Sequence, residues 1–344
     1  MKQSVFIALA LLFCSALYAQ KNIEAIRKQT IEAHLSFLAS DALEGRQAGK
    51  PGGRVAAEYI QAVWKELGIK PFFNTYFQLF EAFSPARDLG MDFQVHPDSV
   101  AKYKQLPAYR RLTLQNVVGY IEGKRKNEYV VIGAHYDHLG IDDLLVGDPI
   151  YNGADDNAAS VAALLQIAKV FAEKEEKPLR TILFACWDGE EVNYLGSEYF
   201  VANFGNTSEL KANINLDMIS REGLLPTLYP DFEIPEATAE NTATGRQFHL
   251  VYTEELAKTS ERLRQAIRLN QLRVEPKTSV MIHTSRGSDY LAFSQRSVPI
   301  LWFFTGLHPD YHTPADEVHR IDMDKLLNIT RAIYLSLYYI ANED

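Results

Sequence analysis

Glu190 and Glu191 stand side by side in "CWDGEEVNYLGSEYF", directly after the apolar run "TILFACW". A lone Glu-Glu pair is most often a solvated turn. At the mouth of a buried strand, however, carboxylates are costly to desolvate unless they move protons or bind a cation. Two other apolar runs end in the same way: "VVIGAHYDH" supplies His135 and Asp137, and "NINLDM" supplies Asp217. Asp156 stands at the opening of the helix expected from "NGADDNAAS", and His312 in "DYHTPADEV" follows "SVPILWFF". Two imidazoles and three carboxylates drawn from this set are nitrogen and hard oxygen donors, which suit zinc better than a thiophilic metal. Two zinc ions ~3.5–4 Å apart can share one carboxylate and one hydroxide. Their mutual repulsion requires anionic ligands between and around them, and this set supplies that charge.

Such residues act together only if the fold gathers them. "QNVVGYIEG", "EYVVIGAHYD", "RTILFACW", "KANINLDMI", "FHLVYT" and "SVPILWFF" read as strands. Helical spacing marks "NIEAIRKQTIEAHLSFLAS", the second half of "DALEGRQAGKPGGRVAAEYIQAVWKELGI", "NAASVAALLQIAKVFAEK", "GSEYFVANF", "EELAKTSERLRQAIRLN" and "MDKLLNITRAIYLSLYYIAN". Asp155, Asp156 and Asn157 fall at the cap of the third of these. Near-continuous apolar strands alternating with helices predict an α/β fold, a three-layer α/β/α sandwich around a mostly parallel mixed sheet. In such a sheet, polar residues just past the carboxyl ends of the strands line the ligand crevice. "WFF", Trp302 to Phe304, reads as core strand. His34, His96, His249 and His283 have no partner pattern, and His138, His308 and His319 keep the reading of loop histidines near motifs.

Composition sets outer bounds. The 344 residues are 47% hydrophobic and 23% charged, ordinary for a globular chain, and the net charge of -9 argues against a nucleic-acid partner. "MKQSVFIALALLFCSALYAQ" has the charge, apolar run and small residue of a signal peptide, assigned to residues 1–19, and is too short for a membrane span. The expected product is a periplasmic or secreted protein, residues 20–344, forming a single domain with no stable membrane insertion after cleavage. Cys14 leaves with the leader, so Cys186 has no internal partner and reads as a small buried hydrophobe. The oligomeric state is not legible.

The ordered set "LASDALEGRQAGKPGGRVAAEYI", "GAHYDHLG", "NGADDNAAS", "WDGEEVNYLGS", "NINLDMIS", "GSDYLAF" and "DYHTPADEV" resembles the co-catalytic two-zinc aminopeptidases of exported bacterial type. Wider relatives of that family include glutamate carboxypeptidases, transferrin-receptor ectodomains and glutaminyl cyclases. The resemblance implies the zinc-peptidase (phosphorylase/hydrolase-like) fold and two zinc ions per chain. It implies that Asp156 bridges the metals, that His135 and Asp217 complete one site, and that Glu191 and His312 complete the other. Asp155 is then a capping or loop residue. The resemblance also implies a cis Asp156–Asn157 bond. Glu190 becomes the general base, Tyr311 an oxyanion donor, and Asp137 the acceptor that fixes the tautomer of His135. Relatives often have His after the Ser-Asp pair where this chain has Tyr290.

The reaction so implied is hydrolysis of N-terminal residues from peptides with a free N-terminus, by a hydroxide held between two metals, with Glu190 taking its proton. Two rivals use the same fold: a glutaminyl-cyclase-like acyl transferase with one zinc, and a non-catalytic receptor-like ectodomain. The absence of His-Glu-x-x-His and of a Gly-x-Ser-x-Gly elbow argues against a thermolysin-like or serine-hydrolase site.

Overall fold

The computed structural model describes residues 22–86, 93–224, 242–281 and 287–343. The leader assigned to residues 1–19 lies outside them. In chain order the elements are α1 (Lys28–Leu38), α2 (Pro51–Glu66), β1 (Lys70–Pro71), β2 (Phe77–Pro85), α3 (Pro97–Lys104), β3 (Tyr109–Ile121) and β4 (Arg125–His135). There follow α4 (Ala159–Ala172), β5 (Arg180–Trp187), α5 (Leu195–Ala202), β6 (Leu210–Leu216), β7 (Gln247–Tyr252) and α6 (Ala257–Leu269). The last are β8 (Glu275–Val280), α7 (Tyr290–Ser294), β9 (Ile300–Phe304) and α8 (Met323–Asn342).

The strands form one nine-stranded sheet in the order β1-β3-β5-β4-β6-β9-β7-β8, with β2 also on β3. Its centre is parallel: β4 pairs with β5 and β6, and β6 pairs with β9. Antiparallel pairings flank that centre, β3 on β5 at one side and β7 on β9 at the other, so the parallel character belongs to the strands that carry the candidate residues.

Period-2 alternation explains the layers. It sends Val130, Ile132 and Ala134 of β4 and Ile182, Phe184 and Cys186 of β5 to one face, where α1, α2, α4, α6 and α8 cover them. Val131, Leu183, Ala185 and Trp187 point to the other face, against Phe200 of α5 and Phe293 of α7. Both faces are therefore buried, which is why these strands read as unbroken apolar runs. Leu326, Ile329, Ile333 and Leu337 of α8 repeat at helical spacing and are each 0% exposed. Burying side chains of that size contributes about 1.5–3 kcal/mol apiece before entropy is charged against it. Asp322 starts this helix by accepting from the amides of Asp324 (3.0 Å) and Lys325 (2.9 Å). No helix among the described residues is long and apolar enough to cross a membrane.

The predicted helix "NAASVAALLQIAKVFAEK" differs at its start. Residues Ala154–Ala158 form a separate wide turn, α4 begins at Ala159, and none of Asp155, Asp156 or Asn157 caps it. Their side chains are recruited by distant residues instead. Gly153 enters the turn at φ 54°, and a Cβ there would collide with the Asp156 carbonyl and the His138 ring, so glycine is required.

Candidate metal centre

The carboxyl ends of four adjacent parallel strands build the site. His135 is the last residue of β4, Glu190 and Glu191 lie in the turn after β5, Asp217 follows β6 directly, and His312 lies in the loop after β9. Asp156 comes from the turn that leads into α4. The five residues assigned to metal meet here. His135 Nε2 is 3.4 Å from Asp156 Oδ1 and 3.7 Å from Asp217 Oδ1. On the other side, His312 Nε2 is 3.1 Å from both Asp156 Oδ2 and Glu191 Oε2. Asp156 thus offers one oxygen to each group. The Asp156–Asn157 peptide is cis.

Donor chemistry and geometry both fit a cation. His135, Asp156 and Asp217 place ligand atoms within 4.8 Å of one another, as do His138, Asp156 and Glu191. His312 Nε2 is shielded from solvent and lies 3.1 Å from an oxygen of each of Asp156 and Glu191, a convergence of donors on one point. The electrostatics agree. Burial pushes Glu190 well above the ordinary carboxylate range, with His135 opposing and Asp217, Glu191 and Asp289 adding to the rise. Burial works against a charged His312, but Asp156 and Glu191 outweigh it and raise the ring to about 10. Such crowding of negative charge is what a divalent cation relieves.

Glu190 Oε2 lies 3.9 Å from His135 Nε2, beside the cluster. Tyr311 stacks on His312 with ring centroids 3.7 Å apart. Burial first, and the carboxylates of Asp156 and Glu191 next, keep its phenol protonated. His135, Asp156, Glu190, Glu191, Asp217 and Tyr311 line a narrow cavity of about 30 Å³ whose apolar wall is Met218, Trp302, Phe304 and Leu307. The "WFF" run is core strand, as expected, and two of its side chains also face this cavity. Tyr290 is fully buried against Trp302, with ring centroids 4.8 Å apart.

Asp137 requires a correction. His135 Nδ1 lies 3.1 Å from the backbone carbonyl of Asp137, whereas the nearest carboxylate oxygen is 3.8 Å away. The carboxylate is engaged elsewhere: it accepts from the amides of Glu190 (3.1 Å) and Glu191 (3.3 Å). Asp137 therefore fixes His135 through its main chain and aims the glutamate pair through its side chain. Burial raises its pKa to about 6, against the pull of His135.

Asp155 also proves more than a loop residue. It is fully buried and accepts from the amide of Ser220 at 2.9 Å. Asn157 donates to the Leu216 carbonyl (3.0 Å) and accepts from the Met218 amide (3.3 Å), bracketing Asp217. Three contributors escaped the sequence reading. His138 Nδ1 is 2.7 Å from Glu191 Oε1. Asp316 accepts from the amides of Asp155 and Asp156 at 3.0–3.1 Å, while its own carbonyl takes that of Ala154 at 3.0 Å. Arg46, 1% exposed, donates to the carbonyls of Tyr136, Asn152 and Gly153 and so ties the segments before Asp137 and Asp156 together. A signal existed only for His138, from its place in "HYDH".

Comparison with known proteins adds context. The model described as peptidase family M28 matches residues 116–337. A glutamate carboxypeptidase 2 homolog of Caenorhabditis elegans is 26% identical over 237 residues, 63% of this chain and 29% of that protein. Aminopeptidase YwaD of Bacillus subtilis is 26% identical over 246 residues, 67% of this chain and 46% of that protein. The chain thus spans less than half the length of these curated relatives. The structure of a zinc aminopeptidase from Bacillus subtilis shares the fold, with TM-score 0.63 at 16% identity over 93% of this chain and 96% of that one.

Proposed function

The chain belongs to peptidase family M28, and from that premise we propose that it is a zinc-dependent exopeptidase removing N-terminal residues from peptides. The observation that carries the reading is Asp156, whose two oxygens face two histidine–carboxylate groups at 3.4 and 3.1 Å. In this reading His135, Asp156 and Asp217 would hold one zinc ion, and Glu191 and His312, with Asp156, would hold a second. Bound there, zinc would supply positive charge to polarise a carbonyl and make water nucleophilic near neutral pH. Glu190 is buried and more basic than an ordinary carboxylate, so it accepts the proton of the attacking water at Oε2 and returns it to the leaving amine. Tyr311, kept protonated, donates its O–H to the developing oxyanion. The cavity walled by Met218, Trp302, Phe304 and Leu307 receives the N-terminal side chain. The acidic surroundings favour the substrate's amino group. Export to the periplasm or beyond belongs to the same proposal, and N-terminal sequencing of the exported protein tests it.

The deciding experiment measures metal content of the purified protein together with hydrolysis of aminoacyl reporters and of N-acetylated peptides. Two zinc ions per chain and cleavage confined to free N-termini are expected. Equal cleavage of blocked peptides would falsify the aminopeptidase reading, and one ion with cyclisation of N-terminal glutamine would replace it with acyl transfer. Glu190→Gln is expected to retain both ions while turnover falls roughly 10²–10⁴-fold. Loss of an ion in that variant makes Glu190 a ligand instead.

A further inference from the structure

A second cavity, of about 300 Å³, adjoins the metal centre on the side away from Asp217. It shares His138 and Glu191 with the centre, and Leu139 and Val192, the residues that follow these two, extend the wall. Its lining is mainly apolar, with Phe93, Leu112 and Val192, and it also includes the cations Lys50, Arg110 and Arg111, of which Lys50 and Arg111 are exposed. The Arg110 guanidinium lies over the Phe93 ring, 4.8 Å from its centroid, and donates to the Ser84 hydroxyl at 3.0 Å. Arg111 pairs with Glu81 at 3.3 Å, and Lys50 is exposed at the N-terminus of α2. With Arg111 offset by Glu81, Lys50 and Arg110 are the cations that this cavity, on a chain of net charge -9, sets toward an incoming anion.

The two cavities differ in a way that orients a substrate. The one beside Met218 and Tyr311 is narrow and walled in part by the metal-site carboxylates, whereas the second is the roomier of the two. On the aminopeptidase reading, on which this orientation rests, the terminal residue fills the small cavity and the portion that leaves occupies the large one. We infer that the large cavity is a specificity site for peptides whose second residue is large and apolar and which carry a carboxylate just beyond it. The apolar wall takes the side chain, and Lys50 and Arg110 take the carboxylate. That carboxylate belongs either to an acidic third residue or to the C-terminus of a tripeptide.

Calorimetric titration of the zinc-loaded Glu190→Gln protein tests this without turnover. The peptides are Ala-Phe-Glu, Ala-Phe-Gln, the C-terminal amides of both, and Ala-Gly-Glu. The expected results are about tenfold tighter binding of Ala-Phe-Glu than of Ala-Phe-Gln amide, and a similar advantage over Ala-Gly-Glu. The two singly charged peptides show whether the side chain or the C-terminus supplies the group. Lys50→Glu is expected to cut the carboxylate advantage to under threefold, and raised salt to shrink it. Equal binding of the charged and fully amidated peptides overturns the inference, and so does an advantage that survives Lys50→Glu. Failure of the native enzyme to cleave an alanine reporter is a separate result that defeats the peptidase reading, while the titrations still decide whether the cavity selects a carboxylate.

Discussion

Asp316 does more for the site than its place outside the ligand set suggests. It stands four residues after His312 and holds three successive amides, those of Ala154, Asp155 and Asp156. The loop that carries His312 thereby clasps the turn that carries Asp156. Removing it leaves the carboxylate of Asp156 attached to a backbone that can rotate, and partners of this type typically affect metal affinity by about 10–100-fold. Asp316→Ala is therefore expected to weaken zinc binding by that order in a chelator competition titration, with Asp316→Asn intermediate because one oxygen remains. Unchanged affinity for the alanine variant would mean that the turn is fixed by other bonds. Asp316 also shows the limit of sequence reading at this scale. His135, Glu191 and Asp217 were visible because they end apolar runs, and a charged side chain at such a place demands a use. Asp316 and Arg46 act on main-chain atoms that are remote in sequence, so neither residue type nor spacing marks them. Asp137 was legible as a helper, but which of its atoms helps which neighbour was not.

Among the elements, those that bury both faces were the ones that could be read. β4, β5 and β9 are apolar through most of their buried lengths, as is β6 apart from Asn213 and Asn215, and their strand character follows. β8, "EPKTSV", sits at a sheet edge with its residues half-buried or exposed and has no apolar run to find. α3 buries no residue at all, so it shows no helical stripe. The turn at Ala154–Ala158 was absorbed into the helix after it, because Asp-Asp-Asn before an apolar stretch looks like a cap whether or not its side chains turn inward. α8 illustrates a true cap. Asp322 accepts two amides of the first turn, and Asp322→Ala is expected to cost about 1 kcal/mol. In a chain of this length that lowers Tm by about 2 °C, measurable by calorimetry. No change would indicate that packing of the helix alone sets its start.

At the scale of the whole molecule, buried histidine links stability to acidity. His249, 5% exposed on β7, has its pKa lowered to about 4, chiefly by burial, with Lys277 and Lys325 contributing. In the unfolded chain a histidine binds its proton near about 6.5. Between those values only the unfolded state is protonated, so this residue's contribution is intact above about pH 6.5 and is lost as pH falls towards 4. The full loss is on the order of 3 kcal/mol. His34, also lowered to about 4 by burial, acts in the same sense. Urea denaturation of the native protein and of His249→Leu at pH 7, 5.5 and 4.5 should show the native chain losing stability relative to the variant as the medium is acidified, because only the native chain bears the penalty. Parallel curves would place His249 outside the acid response. The four-strand origin of the centre has a consequence in time as well as in space. Synthesis runs from the amino end, and β9 with His312 comes after β4, β5 and β6. A nascent chain that has released residues only as far as β6 has three walls of its centre and lacks the fourth. A centre that needs all four strand ends cannot be complete until β9 and the loop behind it are in place, so its assembly is a late event in the folding of the chain.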